Sequence, residues 1–532
     1  MLRANLASLT LALLLIVLSQ SAAAEQVDVS IRQYLEGLDA GDAPWVAGRT
    51  LNEPDLVVRV YRERNHAPLW VANGELGAGI DDLLSAIGQS VAHGFPAERY
   101  HRPTIESLRA SEDPASTLAL ELLATDAFLS QALHRGRGAV SPPNLDAEWQ
   151  LPPAEVDAAA LLFDIAAGES ALVETLDRLW PTADEYWLLV RRRADIAASA
   201  EETTVQIAPG PLIRPGETSD RVLLLKQRLM GPGDHGREYD EDLRREVIAF
   251  QRSAGLEADG IVGDNTLEIL NATRVSWLDR IDANLERWRW LPRETPDTYL
   301  RVNIAAFTLR GFEDGRQTLG MDVIVGRPYR RTPVFTESIK YLVLNPYWNV
   351  PYSIATKDKL PLLKANAAAE AAKGFEARPQ GSESFLAVDA VDWSNVSGRT
   401  FNFLLRQRPG PENALGRMKF MMPNPYAVYL HDTPSRELFR KQERTFSSGC
   451  VRLADPPALA QWLLTRDNHP QARSVDKLVA SGETATIYLK SPVPTYIVYF
   501  TAFADDEGNV IFRRDIYGRD RVLIEALQGL RL

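Results

Sequence analysis

The sequence predicts a multidomain α+β protein: a helical scaffold region, a small three-helix bundle, and an all-β domain with a helical capping insertion. Three observations carry this reading. A chain of 532 residues is too long for one ordinary hydrophobic core. Its apolar spacing is helical up to about residue 272 and turns to strand pattern from Tyr299 onward. Loop residues Ala208-Pro209-Gly210-Pro211 and the turn-rich stretch around Gly311 to Gly315 punctuate the change.

Taken in order, the chain opens on Met1-Leu2-Arg3, an apolar run from Leu9 to Leu18, and Ser21-Ala22-Ala23-Ala24. A basic start, a short apolar core and a small-residue end form a secretory signal peptide over 1–24, cut after Ala24. The alternative is an uncleaved anchor, although the run is short for a membrane span. No second long apolar stretch follows, which predicts a soluble exported remainder.

Residues 25–210 read as a mostly helical scaffold. Leu83-Leu84-Ile87 and Leu118-Leu120-Leu122-Leu123 carry helix spacing, and Pro142-Pro143 and Pro152-Pro153 interrupt it. His66, His93, His101 and His134 lack metal-ligand spacing and read as surface or packing histidines. Residues 214–272 form the bundle. Ser219 caps a helix with Val222, Leu225 and Leu229; a second carries Leu243, Val247 and Phe250 and ends at Gly255; Asp264 caps a third through Leu267 and Leu270. The Arg-Trp alternation in Arg287-Trp288-Arg289-Trp290 reads as a helix end packing tryptophans onto the next domain.

The domain at 297–491 has strands expected at Tyr299 to Thr308, Met321 to Val325, Tyr341 to Leu344 and Tyr426 to His431. An alanine-rich, helix-prone insertion covers roughly 351–425, clearest from Lys364 to Lys373. Asp455-Pro456-Pro457 opens a helix through Leu459, Trp462 and Leu463. Residues 492–532 read as a β-hairpin extension packing on this domain, with strands at Tyr496 to Ala504 and Val510 to Ile516.

The net charge of −12 offers no basic excess for phosphates, which argues against DNA or any other nucleic acid as partner. The chain has one cysteine, Cys450, in Ser447-Ser448-Gly449-Cys450-Val451-Arg452. An exported protein with a single thiol cannot close an internal disulfide, so an unpaired thiol is easiest to explain if it does chemistry. His431 lies upstream in Tyr429-Leu430-His431-Asp432-Thr433, and together they form a nucleophile–base pair. On a strand, Tyr429 and His431 share a face. Gly449 permits a tight turn with bare N–H groups near the thiol, able to hold an oxyanion. Arg452 falls on the thiol's side, where a cation favours thiolate and binds a substrate carboxylate. Asp432 points away from His431, so a backbone carbonyl is the better candidate to orient the imidazole.

Two stretches resemble known families. Val247-Ile248-Ala249-Phe250-Gln251-Arg252, then Gly255-Leu256, Asp259-Gly260-Ile261-Val262-Gly263 and Thr266-Leu267, resembles the peptidoglycan-binding type 1 domain. His431 followed by Ser447-Ser448-Gly449-Cys450-Val451-Arg452 resembles the L,D-transpeptidase (YkuD) catalytic domain, whose signature is a histidine and then Ser-His-Gly-Cys-x-Arg. Ser448 in place of the second histidine, and Asp432 in place of the usual glycine, fit its large periplasmic YcbB-like subfamily. So do Asn345-Pro346-Tyr347-Trp348-Asn349-Val350-Pro351 and Met422-Pro423-Asn424-Pro425-Tyr426. The resemblance implies a periplasmic enzyme of cell-wall biogenesis that forms 3→3 cross-links between peptidoglycan stem peptides through a cysteine thioester. Cys450 would be the nucleophile and His431 the base, with Gly449 at the oxyanion and Tyr429, Arg452, Ser447 and Ser448 binding substrate. It implies no metal and no cofactor. Glycan synthases and carboxypeptidases supplying tetrapeptide donors are the implied protein partners. Competing readings are an L,D-carboxypeptidase or endopeptidase using the same thioester, a catalytically dead wall-binding scaffold, and an unrelated secreted cysteine protease.

Overall fold

The computed structural model describes residues 28–529, apart from 73–74, 78, 112, 152–153, 200–204, 255 and 506. The signal segment, Pro152-Pro153 and Gly255 therefore lie outside the described residues.

The N-terminal region is organised around helix α1 (Pro114–Arg137), whose residues from Ala119 to Arg135 are all buried. Asp113 caps it by accepting from the Ser116 N–H, Pro114 occupies the first turn, and Gly138 ends it at φ 84°. A helix buried all round draws on neighbouring elements to partner its polar side chains. Glu121 accepts from the Trp70 N–H (3.0 Å) and the Tyr61 hydroxyl (3.0 Å). Asp126 accepts from the Glu53 N–H (2.8 Å) and bonds His101 Nε2 (2.7 Å). Arg135 pairs with Asp177 (2.9 Å).

The bundle consists of α2 (Asp220–Met230), α3 (Glu241–Ser253) and α4 (Asp264–Leu270), around Val222, Leu225, Leu243, Val247 and Leu267. Ser219 and Asp240 cap the first two through the Val222 and Leu243 N–H groups. Asp264 does not cap the third: Gly263 holds that position, and Asp264 sits in the first turn, where its charge still suits the helix dipole.

Helix α5 (Arg274–Arg289) joins the helical half to the β half. On one side Arg193 bonds Asp282, and Glu286 accepts from the Val140 N–H (2.8 Å) and Arg289 (2.9 Å). On the other, Asn284 bonds Thr501 (2.9 Å) and Arg287 pairs with Asp520 (2.6 Å). Its tryptophans pack: Trp288 stacks on Phe500, and Trp290 meets Trp149 edge-on.

The β half is a ten-stranded sheet. Its strands are β1 (Trp149–Gln150), β2 (Thr298–Asn303), β3 (Thr308–Glu313), β4 (Arg316–Gly326), β5 (Val334–Leu344), and, after the insertion, β10 (Met418–Met421), β11 (Leu430–His431), β12 (Thr445–Ser447), β13 (Val451–Leu453) and β14 (Ala485–Val498). Strand β10 pairs with both β11 and β5, which closes the sheet on itself. Several boundaries differ from the sequence pattern. The run Tyr299 to Thr308 is two strands split by a turn with Phe307 at φ 56°. Gly311 belongs to β3, and the turn narrows to Asp314-Gly315, both at positive φ, as a tight hairpin requires. The expected strand Tyr426 to His431 shrinks to two residues. Ala427 adopts φ 54°, and the Asn424 side chain accepts from the Tyr426 and Val428 N–H groups, holding a turn there.

The insertion is more than helical. A short π-helical stretch at Ala355–Lys359 leads into α6 (Leu360–Ala372), which breaks at Asn366. Asn366 then caps the second half through the Ala369 N–H (3.0 Å). A separate four-stranded sheet completes it, built from β6 (Trp348–Asn349), which precedes the helices, and β7 (Phe375–Pro379), β8 (Leu386–Ala387) and β9 (Phe403–Gln407); the insertion thus begins at Trp348, and Met418–Met421, within the expected 351–425, belongs to the main sheet. The insertion has its own core around Trp348, Phe375, Trp393, Phe401 and Leu405.

Helix α7 (Pro456–Arg466) is capped by Asp455 through the Ala458 N–H (3.0 Å). The divide at 491/492 falls inside β14. The C-terminal hairpin is short, β15 (Ala502–Ala504) with β16 (Val510–Phe512), and is followed by α8 (Arg519–Gly529), which the strand reading of this tail did not foresee.

Candidate active site

Three short strands set the site. Strand β10 runs antiparallel to β11, and β11 runs parallel to β13. The registers align Lys419 with His431, and His431 with Arg452. Residues directly opposite in a sheet share a face. The other face carries Phe420, Leu430 and Val451, each fully buried in the barrel core. That apolar alternation fixes which way the polar set points. Tyr429 and Cys450 lie two residues before His431 and Arg452 respectively, so all five side chains belong to one face.

His431 is buried, and its Nδ1 bonds the Asp432 carbonyl at 2.5 Å. A carbonyl only accepts, so Nδ1 carries the proton and Nε2 keeps its lone pair. The Asp432 carboxylate is engaged elsewhere, accepting from the Arg417 and Thr433 N–H groups and from Arg436. Gly416, at φ 60°, lies against it where a Cβ has no room. Burial, then the Arg452 charge, hold the His431 imidazole far below its usual range, at about 3; the Asp432 carbonyl opposes them, and Lys419 adds to them. The ring is neutral at pH 7.

Cys450 is half-buried, with Sγ 3.7 Å from the Ala427 carbonyl. Burial pushes the thiol up, while hydrogen bonds from Tyr429 and the charges of Lys419 and Arg452 pull it down. The Tyr429 hydroxyl is raised by burial and then by Cys450, and it also bonds Trp348 of the insertion. The Tyr429 and His431 rings are 5.6 Å apart. The Arg452 Nε is buried with no partner, and Arg327 lies close enough to lower Arg452 further. An unpartnered guanidinium Nε beside a thiol suits an anion.

The loop before Cys450 is braced from within. Gly449 adopts φ 116°, a conformation that favours glycine. Its N–H donates to the Ser447 hydroxyl (3.1 Å), so it is not the bare amide expected from the sequence. Ser447 is 2% exposed, and its hydroxyl also donates to the Cys450 carbonyl (2.6 Å). Its donor and one of its two lone pairs serve the loop. Ser448 is exposed, and its Oγ accepts from Arg330 (3.1 Å).

Sequence reasoning missed several residues that hold this loop. Thr332 donates to the Gly449 carbonyl (2.9 Å) and accepts from the Gly326 N–H (2.9 Å). Tyr517 donates to the Gly326 carbonyl (2.5 Å). Gly326 has no Cβ because the Arg330 carbonyl passes through that space. Arg330 is paired through both guanidinium nitrogens with Asp358 of the insertion, which ties the π-helical stretch to Ser448. Lys419 was also missed, because its place beside His431 depends on strand register.

Among the described residues no cluster of His, Cys, Asp or Glu is placed to hold a metal ion, and no helix is long and apolar enough to cross a membrane. His93 and His134 are buried in the helical region, and His101 is bonded to Asp126. The arrangement of a thiol, a neutral imidazole with one free nitrogen and two cations suits nucleophilic attack on a carbonyl, followed by acyl transfer.

Three family models match parts of the chain. Residues 55–192 match a scaffold domain, 218–270 match a "Putative peptidoglycan binding domain", and 297–479 match the L,D-transpeptidase catalytic domain (YkuD). A "Putative L,D-transpeptidase" of Haemophilus influenzae is 35% identical over 242 residues. The match covers 46% of this chain and 48% of that relative, so the chain spans about half the length of the curated relative it matches. Among solved structures, an L,D-transpeptidase (residues 123–326) from Xylanimonas cellulosilytica is 16% identical, covering 55% of this chain and 100% of that one, at a TM-score of 0.16. The Ldtfm-avibactam carbamoyl enzyme is 12% identical, covering 38% and 49%, at the same TM-score of 0.16. Neither structure carries weight at that score.

Proposed function

Taking residues 297–479 as a YkuD-family L,D-transpeptidase catalytic domain, set behind a peptidoglycan-binding module at 218–270, we propose that this chain forms 3→3 cross-links between peptidoglycan stem peptides through a thioester on Cys450. The observation that carries the proposal is the tautomer of His431. With Nδ1–H committed to the Asp432 carbonyl, Nε2 is available as a base on the face that holds the thiol.

His431 Nε2 takes the Cys450 proton, and the sulphur attacks the carbonyl of the third residue of a donor tetrapeptide. The resulting oxyanion is met by the Cys450 N–H, the remaining backbone donor beside the sulphur once Gly449 is committed to Ser447. The bond to the terminal D-alanine breaks, and its amine leaves with the proton from the imidazolium. The side-chain amine of an acceptor stem's third residue then attacks the thioester, giving its proton to His431 as the thiolate departs. The unpartnered Arg452 Nε receives a substrate carboxylate. The insertion packs Trp348 over Tyr429 and shields the thioester from water. Such a substrate places the work outside the cytoplasm.

The test is incubation of the protein with disaccharide-tetrapeptide, followed by mass analysis. A cross-linked dimer and a protein mass increased by one tripeptide acyl group are expected. Tripeptide alone, with no dimer, would replace transfer by hydrolysis.

A further inference from the structure

Lys419 lies on the same rung of the sheet as His431 and Arg452. Its ammonium sits 3.9 Å from the centroid of the Tyr429 ring. A half-buried lysine is ordinarily balanced by a carboxylate. None of the ion pairs among the described residues involves Lys419. The neighbour opposite it on β5 is Val343, which is apolar. On β11 and β13 the groups sharing its face are Tyr429, His431, Cys450 and Arg452, with Arg327 beyond. None of these is an acid in the usual sense, and two are permanently cationic. The insertion contributes Trp348 above Tyr429, and its charged pair, Asp358 with Arg330, is already mutually satisfied. Of these neighbours, the Cys450 sulphur is the one whose ionised form the Lys419 charge favours, against the burial that pushes the thiol up. Tyr429 does not compete, because burial and the thiol itself push its hydroxyl upward.

We propose that Lys419 is a positioning residue of the catalytic centre: its ammonium, seated on the Tyr429 ring, is the cation against which Cys450 ionises. The reading rests on Cys450 being the nucleophile. The lysine is uncompensated in the resting thiol state and compensated only when sulphur carries charge, so its interaction strengthens as the reaction starts. The Tyr429 ring serves two ends. Its face holds the ammonium without neutralising it, as a carboxylate would, and its hydroxyl bonds the sulphur. Burial first, then Arg452, with Lys419 adding least, hold His431 neutral, which disfavours an imidazolium–thiolate resting pair. The imidazole is thereby kept as a base across the pH range in which the thiolate forms.

Alkylation of Cys450 by iodoacetamide, followed by protein mass across pH 6 to 10, reads the thiolate without any stem peptide. Cys450 is the only thiol, so each adduct reports that site. Lys419→Met keeps the apolar length of the side chain and removes the charge. Its alkylation midpoint is expected about one pH unit above wild type, roughly tenfold slower at pH 7. Lys419→Arg, which keeps the charge, is expected to restore the wild-type midpoint. Thermal melts confirm folding, and Lys419→Gln serves if the methionine variant does not fold. A charge-free variant that folds and superimposes on the wild-type curve overturns the proposal, as does an arginine variant displaced as far as the methionine one. Failure here leaves the cross-linking assay free to succeed, and failure of cross-linking leaves this curve interpretable.

Discussion

His431 and His93 occupy nearly the same electrostatic setting in opposite halves of the molecule. Burial is the main cause in both, followed by arginine charge. It holds His431 at about 3, and holds His93 at about 2 with Arg289, Arg135 and Arg193 adding. Their surroundings differ. The His93 ring stacks flat on Trp180 at 3.8 Å, and its Nδ1 is bonded to the Tyr186 hydroxyl at 2.7 Å. Trp187 meets the ring edge-on at 5.3 Å, and Arg289, Arg135 and Arg193 lie nearby. His431 has one nitrogen anchored to a carbonyl and shares its face with a thiol, a tyrosine and two cations. A depressed imidazole therefore reports burial among cations, and chemistry begins only where a nucleophile shares the face.

The sharpest way to break this comparison is to remove each group in turn. Cys450→Ala is expected to abolish the acyl-enzyme mass and lower turnover at least 1000-fold, with the melting temperature close to wild type. His431→Gln should lower turnover about as far. His93→Ala should instead keep turnover per folded molecule and cost about 3 kcal/mol of stability, since it opens a cavity beneath stacked aromatics. A His93 variant that folds but loses turnover would end the distinction.

A second test moves to the helix that joins the halves. Glu286 is fully buried, and its carboxylate holds the Val140 N–H and the buried Arg289. Glu286→Gln leaves the Arg289 charge buried without its counter-ion, and a loss of about 3–5 kcal/mol in chemical denaturation is expected. Active-site alkylation of the protein that remains folded should not change.

The pH dependence sharpens the pair from the stability side. A histidine whose native pKa is lowered binds fewer protons folded than unfolded. Its penalty is absent well above the unfolded value of about 6.5 and grows as pH falls toward the native value. His93→Gln removes that titration. The stability gap between wild type and variant should therefore narrow by about 2 kcal/mol between pH 8 and pH 5, read from urea midpoints at each pH. A gap independent of pH would mean that His93 is not buried neutral.

The catalytic strands show how far local pattern reaches. Tyr429, His431, Cys450 and Arg452 were legible because period-two alternation and motif spacing are local properties of the chain. Lys419 was not: it lies twelve positions from His431 across a turn, and only the β10–β11 register makes them neighbours. The Gly449 amide looked free because a glycine turn exposes N–H groups, but nothing local revealed that the Ser447 hydroxyl folds back to take it. The insertion was read as helical because its alanines dominate the composition. Its sheet is assembled from four short strands distant in sequence, the first two separated by the helical stretch itself, and strand pairing of that kind leaves little trace in a short window. The tail helix α8 follows a hairpin whose apolar alternation drew the whole tail toward strand.

The smallest effect belongs to the ion pair that joins the insertion to the loop before Cys450. Arg330 and Asp358 have the same chemistry as Arg289 and Glu286, but their side chains are 22% and 39% exposed, against 2% and 0%. Water screens the open pair in both the paired and the broken state, so removing one partner strands no buried charge. A double-mutant cycle with Arg330→Ala and Asp358→Ala should give a coupling of about 0.5–1 kcal/mol in urea denaturation. Arg330 also donates to Ser448, two residues before Cys450, so its loss should slow Cys450 acylation a few-fold while Asp358→Asn slows it less. A coupling of several kcal/mol would mean that the insertion closes over this pair in solution and buries it as deeply as the Glu286–Arg289 pair on helix α5.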